Sequence, residues 1–173
     1  MRTPAAGSIA AHGPVSPQIM AVRIALYCPD IAQNAGTILR IGACFGIEVH
    51  IIEPAGFPVG DAGFRRAGMD YIDQVTWRRH ASFAAFDAER RAEGRRVVLF
   101  TTQGAEPLFG FRFQPDDVLL FGRESAGVPE SVHAVADARL RIPMRAGVRS
   151  LNVAVSAGIA LAEALRQTGG LPD

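Results

Sequence analysis

The sequence predicts an α/β domain built on a mostly parallel sheet with helices on both faces. Three observations predict it. Short β-rich apolar runs alternate along the chain with stretches of helical periodicity. Two of those runs, VVLFT at 97–101 and VLLF at 118–121, are unbroken in the way of strands buried on both faces. The length, 173 residues with 49% hydrophobic and 20% charged, suits one domain rather than two.

Residues 1–20, rich in Ala, Gly, Pro and Ser, read as a flexible extension without the apolar core of a signal peptide, and Met20 is a candidate natural start. Residues 21–173 then form the single domain. A first strand at 22–28 (VRIALYC) is stopped by Pro29-Asp30, and a helix follows at 34–45. A second strand at 47–52 (IEVHII) is closed by Glu53-Pro54, and a short helix is expected at 61–67. The stretch 82–93 reads as an amphipathic helix with Phe83, Ala84 and Phe86 on its apolar side, and Gly94 ends it. After the strands at 97–101 and 118–121 comes a shorter one at 140–142 before Pro143, and a long helix at 151–166 closes the chain.

Eighteen basic residues against seventeen acidic ones give a charge of +1, which excludes a polycationic tail. All eighteen are Arg, so P-loop, Schiff-base and Lys-base chemistries are excluded and planar guanidinium forks take their place. Cys28 and Cys44 read as reduced, buried thiols, and the scattered His12, His50, His80 and His133 form no ligand pair, so no metal is expected. The longest uncharged apolar stretch, 151–162, is shorter than the roughly 20 residues that span a bilayer, so a soluble, cytoplasmic protein is expected. The arginine pairs 65/66, 78/79, 90/91 and 95/96 alternate with acids and read mostly as solvated faces.

In a parallel α/β sheet, ligands bind beyond the carboxyl ends of the strands, and three clusters fall there. In the first, Asn34 suits a helix N-cap, while Arg40 sits between Leu39 and Ile41 as either a solvated residue or a phosphate contact. The second, 121–129 (FGRESAGVP), leaves a strand into a turn with two glycines and Glu124. It is either a ligand loop or an ordinary turn with Glu124 paired to an Arg. No G-x-G-x-x-G occurs, which disfavours a nicotinamide-binding Rossmann domain. The third, 141–152, carries Arg141, Arg145 and Arg149, which with Arg139 just before it run without an intervening acid, and Ser150 is a candidate N-cap. Beyond it, Ala154, Gly158 and Ala162 form a low-profile stripe, for the core or for a subunit interface.

Taken in order, these clusters resemble the three motifs of the SPOUT superfamily of RNA methyltransferases: Asn34, Gly36 and Arg40; the run 121–129; and Ile142-Pro143-Met144 with Ser150-Leu151-Asn152. The resemblance spans 22–168. The short length, with LYCPDIAQNAGTILR, HIIEP-x-GF and RRAGMDY, is similar to the TrmL type. It implies a sheet whose C-terminal part is threaded into a trefoil knot, an obligate homodimer with its active site between subunits, and S-adenosylmethionine as cofactor. Carried over by position, Phe100, Thr101, Thr102, Gly122, Glu124, Gly127, Ile142, Met144, Ser150 and Leu151 would hold the cofactor. Arg40 would assist at the ribose hydroxyl, with Asn34, Glu124, Ser150 and Asn152 shaping the site. The implied reaction is 2′-O-methylation of the wobble cytidine or uridine of tRNA, in leucine tRNAs. Methylation of another tRNA or rRNA position, or a non-catalytic RNA-binding dimer of the same fold, are the alternatives.

Overall fold

The computed structural model describes residues 21–60, 64, 66, 71–103 and 105–172. The extension 1–20 therefore lies outside the described residues. So does most of the short helix expected at 61–67, of which Phe64 and Arg66 are helical.

Seven strands form one parallel sheet in the order β3-β2-β1-β6-β4-β7-β5. They are β1 (Arg23–Tyr27), β2 (Val49–Ile52), β3 (Trp77–His80), β4 (Val97–Phe100), β5 (Glu106–Pro107), β6 (Val118–Phe121) and β7 (Ala138–Arg141). The central strands behave as their apolar runs require: Leu119 and Phe121 of β6 face one layer, Val118 and Leu120 the other. On the first side lie α1 (Ala32–Phe45) and the last helix, α4 (Val153–Thr168), contributing Ile38, Leu39, Leu161 and Leu165. On the second lie α2 (Phe83–Ala92) and α3 (Glu130–Val135), contributing Phe86 and Val132. The two-faced α/β sheet is thus as expected, and its strand order is compatible with a C-terminal knot. No helix among the described residues is long and apolar enough to cross a membrane.

Several local readings need correction. Ile31, not Asn34, occupies the N-cap of α1, so Asn34 lies within the first turn and its side chain is free for distant partners. Likewise Asn152, not Ser150, caps α4, accepting from the N–H groups of Ala154 and Val155. The face of α4 that packs inward is Ala154, Ala157, Ala160, Leu161, Ala164 and Leu165, so the Ala154, Gly158, Ala162 stripe winds from the core out to solvent. Cys28 is buried, but Cys44 is exposed.

Strand β3, the two-residue β5 and α3 have no counterpart in the sequence reading. Strand β3 reads Trp-Arg-Arg-His, which has no apolar alternation. It is held instead by its pairing to β2 and by charge: Arg78 reaches Glu48 and Glu89, each at 2.5 Å, and His50 and His80 meet at 2.8 Å. The Arg78 Nε–Glu48 Oε1 contact is close without being aligned as a hydrogen bond. The arginine pairs are therefore largely braces rather than solvated faces. Arg90 is buried and donates to Asp87, Asp137 and two carbonyls, Arg95 is buried against Glu93, and Arg96 grips Asp117 with two bonds of 2.8 Å.

Candidate functional site

The carboxyl ends of β4, β6 and β7 open into a cleft of about 600 Å³. Its apolar walls start with Phe100 and Phe121, whose rings stack at 4.9 Å, and continue with Leu140, Ile142 and Leu151. The loop after β6 forms one rim. Arg123 and Gly127 exchange two main-chain hydrogen bonds, of 3.0 and 2.8 Å, which close a tight loop with Glu124, Ser125 and Ala126 at its tip. Both glycines are required there. A Cβ on Gly122 would stand 2.7 Å from the Gly127 carbonyl carbon, and Gly127 itself has φ +66°.

Motif residues far apart in sequence meet at this rim. Glu124 Oε2 accepts from the main-chain N–H of Asp30 at 2.9 Å, and Oε1 accepts from Asn34 Nδ2 at 3.1 Å. Asn34 Oδ1 accepts in turn from Asn152 Nδ2 at 2.9 Å, and Asn152 Oδ1 caps α4. The carboxylate only accepts and the helix N–H groups only donate, so a single orientation of each amide satisfies the chain. The arrangement presents an ordered line of polar groups at the mouth of an apolar cleft.

Apart from Arg40, every residue singled out from the sequence for catalysis or cofactor contact lines this cleft. Thr101, Thr102, Met144 and Ser150 join the residues already described. Arg40 is exposed on α1 and does not line the cleft of its own chain; its guanidinium lies 4.7 Å over the Tyr71 ring. Arg139, Arg141, Arg145 and Arg149 are exposed, and Arg141 also lines the cleft.

Sequence reading missed three contributors. Asp30, read only as a strand stop, accepts from Arg123 at 3.1 and 2.6 Å and from Ser125 N–H at 3.2 Å, and it also takes the Ser125 hydroxyl. Arg123, then Ser125, hold its carboxyl at about 2. Ser125 stands in the 121–129 run with no role of its own in the sequence, and Arg123 occupies a variable place there whose role the sequence leaves open. His133, 7% exposed, lines the cleft from the unforeseen α3, and its Nδ1 has no hydrogen-bond partner in the structure. None of these carries a local signal, because their partners are more than ninety residues away or on an unpredicted helix.

The SpoU rRNA Methylase family matches residues 21–162, over the strands and loops that build the cleft. The chain belongs to that family. Among curated relatives, a tRNA (cytidine(34)-2'-O)-methyltransferase of Ancylobacter novellus is 66% identical over 151 residues, which is 87% of this chain and 96% of the relative. The enzyme of that name from Burkholderia ambifaria is 38% identical over 148 residues, 84% of this chain and 95% of its own. Among solved structures, one concerned with the 2-OH methylation of C/U34 on tRNA is similar with a TM-score of 0.80 and 46% identity, over 85% of this chain and 95% of that one. The SpoU methyltransferase AviRb from Streptomyces viridochromogenes, in complex with AdoMet, superposes with a TM-score of 0.76 at 27% identity, over 85% of this chain and 60% of that one. In this SpoU-family chain, then, the Asn34–Glu124–Asn152 line is the point at which all three motifs touch.

Proposed function

We propose that this chain transfers a methyl group from S-adenosylmethionine to the ribose 2′-hydroxyl of nucleotide 34, a cytidine or uridine, of tRNA, with leucine tRNAs as substrates, and that it works in the cytoplasm as a homodimer. The observation that carries the reading is the meeting of the three motifs at one cleft, in a chain 66% identical to a relative named for this reaction.

The cleft suits the cofactor. Phe100, Phe121, Ile142 and Leu151 offer apolar walls, and Gly122 permits close main-chain approach. The loops of Thr101, Thr102, Gly127, Met144 and Ser150 offer the polar edge that an adenine and a charged amino-acid tail need. When bound, S-adenosylmethionine supplies a methyl already activated on a sulfonium. The protein has to orient the hydroxyl and help its proton leave. Glu124, Asn34 and Asn152 stand at the mouth where that hydroxyl would enter.

Arg40, which does not line the cleft of its own chain, would serve the cleft of a partner. It is exposed, and Ile31, Leu151 and Val155 stay 43%, 39% and 51% exposed around the cleft mouth and the start of α4. Covering these side chains with a second copy would bring a partner's Arg40 toward the reacting ribose. A guanidinium, a planar and permanently charged fork of donors, acts there by holding a phosphate or the developing alkoxide. Incubation with labelled S-adenosylmethionine and total tRNA, followed by nucleoside mass spectrometry, should yield 2′-O-methylcytidine or 2′-O-methyluridine mapped to position 34 of leucine tRNAs. Label at another nucleotide would move the target, and no methylated nucleoside despite bound cofactor would overturn the reading.

A further inference from the structure

We infer that Asp30 is a positioning residue of this site, fixing the Glu124 carboxylate and through it the Asn34 side-chain amide. The inference rests on the methyl-transfer reading for the purpose of the site, but its geometry stands alone. Glu124 is held from three directions by one residue. The Asp30 main-chain N–H donates to Oε2 of Glu124, while the Asp30 carboxylate binds the residue before Glu124, Arg123, and the residue after it, Ser125. A loop tip flanked by two glycines is otherwise free to pivot; here both shoulders of the tip are tied to the same carboxylate.

Asp30 is itself immobilised. Cys28, at φ +45°, turns the chain sharply as it leaves β1. The Gly56 N–H then donates to the Pro29 carbonyl at 2.8 Å, and Gly56 packs so closely that a Cβ there would stand 2.8 Å from the Asp30 carbonyl oxygen. The anchor thus belongs to the rigid end of β1, not to the loop it holds.

The consequence runs along the hydrogen bonds. Fixing Glu124 as a pure acceptor makes Asn34 present its Nδ2 to the carboxylate and its Oδ1 to Asn152, which in turn leaves Asn152 Oδ1 for the N-terminus of α4. A wandering Glu124 would leave Asn34 Nδ2 without its acceptor, so Asn34 would be held only from the α4 side, through Asn152, and the first turn of α1 would lose its tie to the 121–129 loop.

The chain contains only two asparagines, Asn34 and Asn152, so labelling with ¹⁵N-asparagine gives two side-chain amide signals, both from this site. In the wild type, the Asn34 amide protons should exchange slowly with water. Asp30→Ala, which keeps the main-chain donor, should speed that exchange about tenfold and move both signals toward their positions in Glu124→Gln, with the melting temperature nearly unchanged. Its kcat should fall about ten- to a hundredfold, more than its KM for tRNA rises, and the same change made on Glu124→Gln should cost nothing further. Asp30→Asn, which keeps one acceptor, should lie between. Should Asp30→Ala not fold, Arg123→Gln removes one tie and Ser125→Ala removes the hydroxyl bond of the other while keeping its main-chain donor, and each should shift the same two signals, Ser125→Ala the less. Unmoved asparagine signals, or a kcat loss that multiplies with that of Glu124→Gln, would overturn the inference. The signals judge Asp30 whether or not tRNA is methylated, so a wild-type chain that transfers no methyl would count against the proposed function alone.

Discussion

Arg40 and Tyr71 show how much a single contact decides. The guanidinium carbon lies over the ring, 4.7 Å from its centroid, a cation–π contact that restrains the fork on the surface of α1. Arg40→Lys keeps the charge but loses the plane and the fork, and kcat should fall at least about tenfold with cofactor affinity unchanged. Tyr71→Phe should preserve turnover, whereas Tyr71→Ala should reproduce part of the Arg40→Lys loss; single-turnover methyl transfer separates these outcomes. Wild-type turnover in Arg40→Lys would remove the need for a guanidinium. Of this residue-scale detail, the sequence named most of the side chains that line the cleft but not their partners. Asn34 looks like a helix cap because a cap is judged from neighbouring residues. Its real partners, Glu124 and Asn152, are 90 and 118 residues away.

Strand β3 shows what an element needs beyond apolar periodicity. Its Trp-Arg-Arg-His has too few buried apolar side chains to announce a strand, and its pairing to β2 together with the three-dimensional placing of Glu48 and Glu89 holds it as one. The strands legible in sequence, β1, β2, β4, β6 and, in part, β7, all place apolar side chains in the cores. The charge-held edge has a pH signature. Burial, helped by the neighbouring His50, lowers His80 to about 4. Burial alone would raise Glu48, but His50, Arg23 and Arg78 outweigh it and hold that carboxyl at about 2. Unfolded His80 takes its proton near 6.5, so between pH 6.5 and about 4 the unfolded chain binds more protons than the folded one. Stability should therefore fall as pH drops through that window, by about 2 kcal/mol from this residue, and Glu48 should add a further loss below its ordinary value. Urea midpoints between pH 7 and pH 4.5 should slope less in His80→Gln than in the wild type; equal slopes would remove His80 as the cause.

At the scale of the whole molecule, a net charge of +1 reads as a poor match for RNA, but the arginines are of two kinds. Arg23, Arg78, Arg90, Arg95 and Arg96 are bound to carboxylates inside the fold. Arg40 and the segment of Arg139, Arg141, Arg145 and Arg149 have no carboxylate partner among the described residues. RNA bound at the cleft would meet this second set, about five charges per site, and the affinity for tRNA should fall with log salt at a slope of about −3 to −4. The fold leaves those charges divided, because Arg40 stands away from the cleft that the 139–149 segment borders. A second copy related by twofold symmetry is the simplest way to unite them, and mixing inactive variants tests it. Arg40→Ala spoils the arginine that a protomer lends, and Glu124→Gln spoils the cleft that it owns. If each site takes its arginine from the partner, a mixed dimer keeps one intact site: the unaltered Glu124 cleft of one protomer facing the unaltered Arg40 of the other. Random re-pairing of equal amounts makes half the dimers mixed, so methyl transfer should return to about a quarter of the wild-type rate. If Arg40 instead serves the cleft of its own chain, every site in the mixture carries one defect, and activity stays at the level of the separate variants.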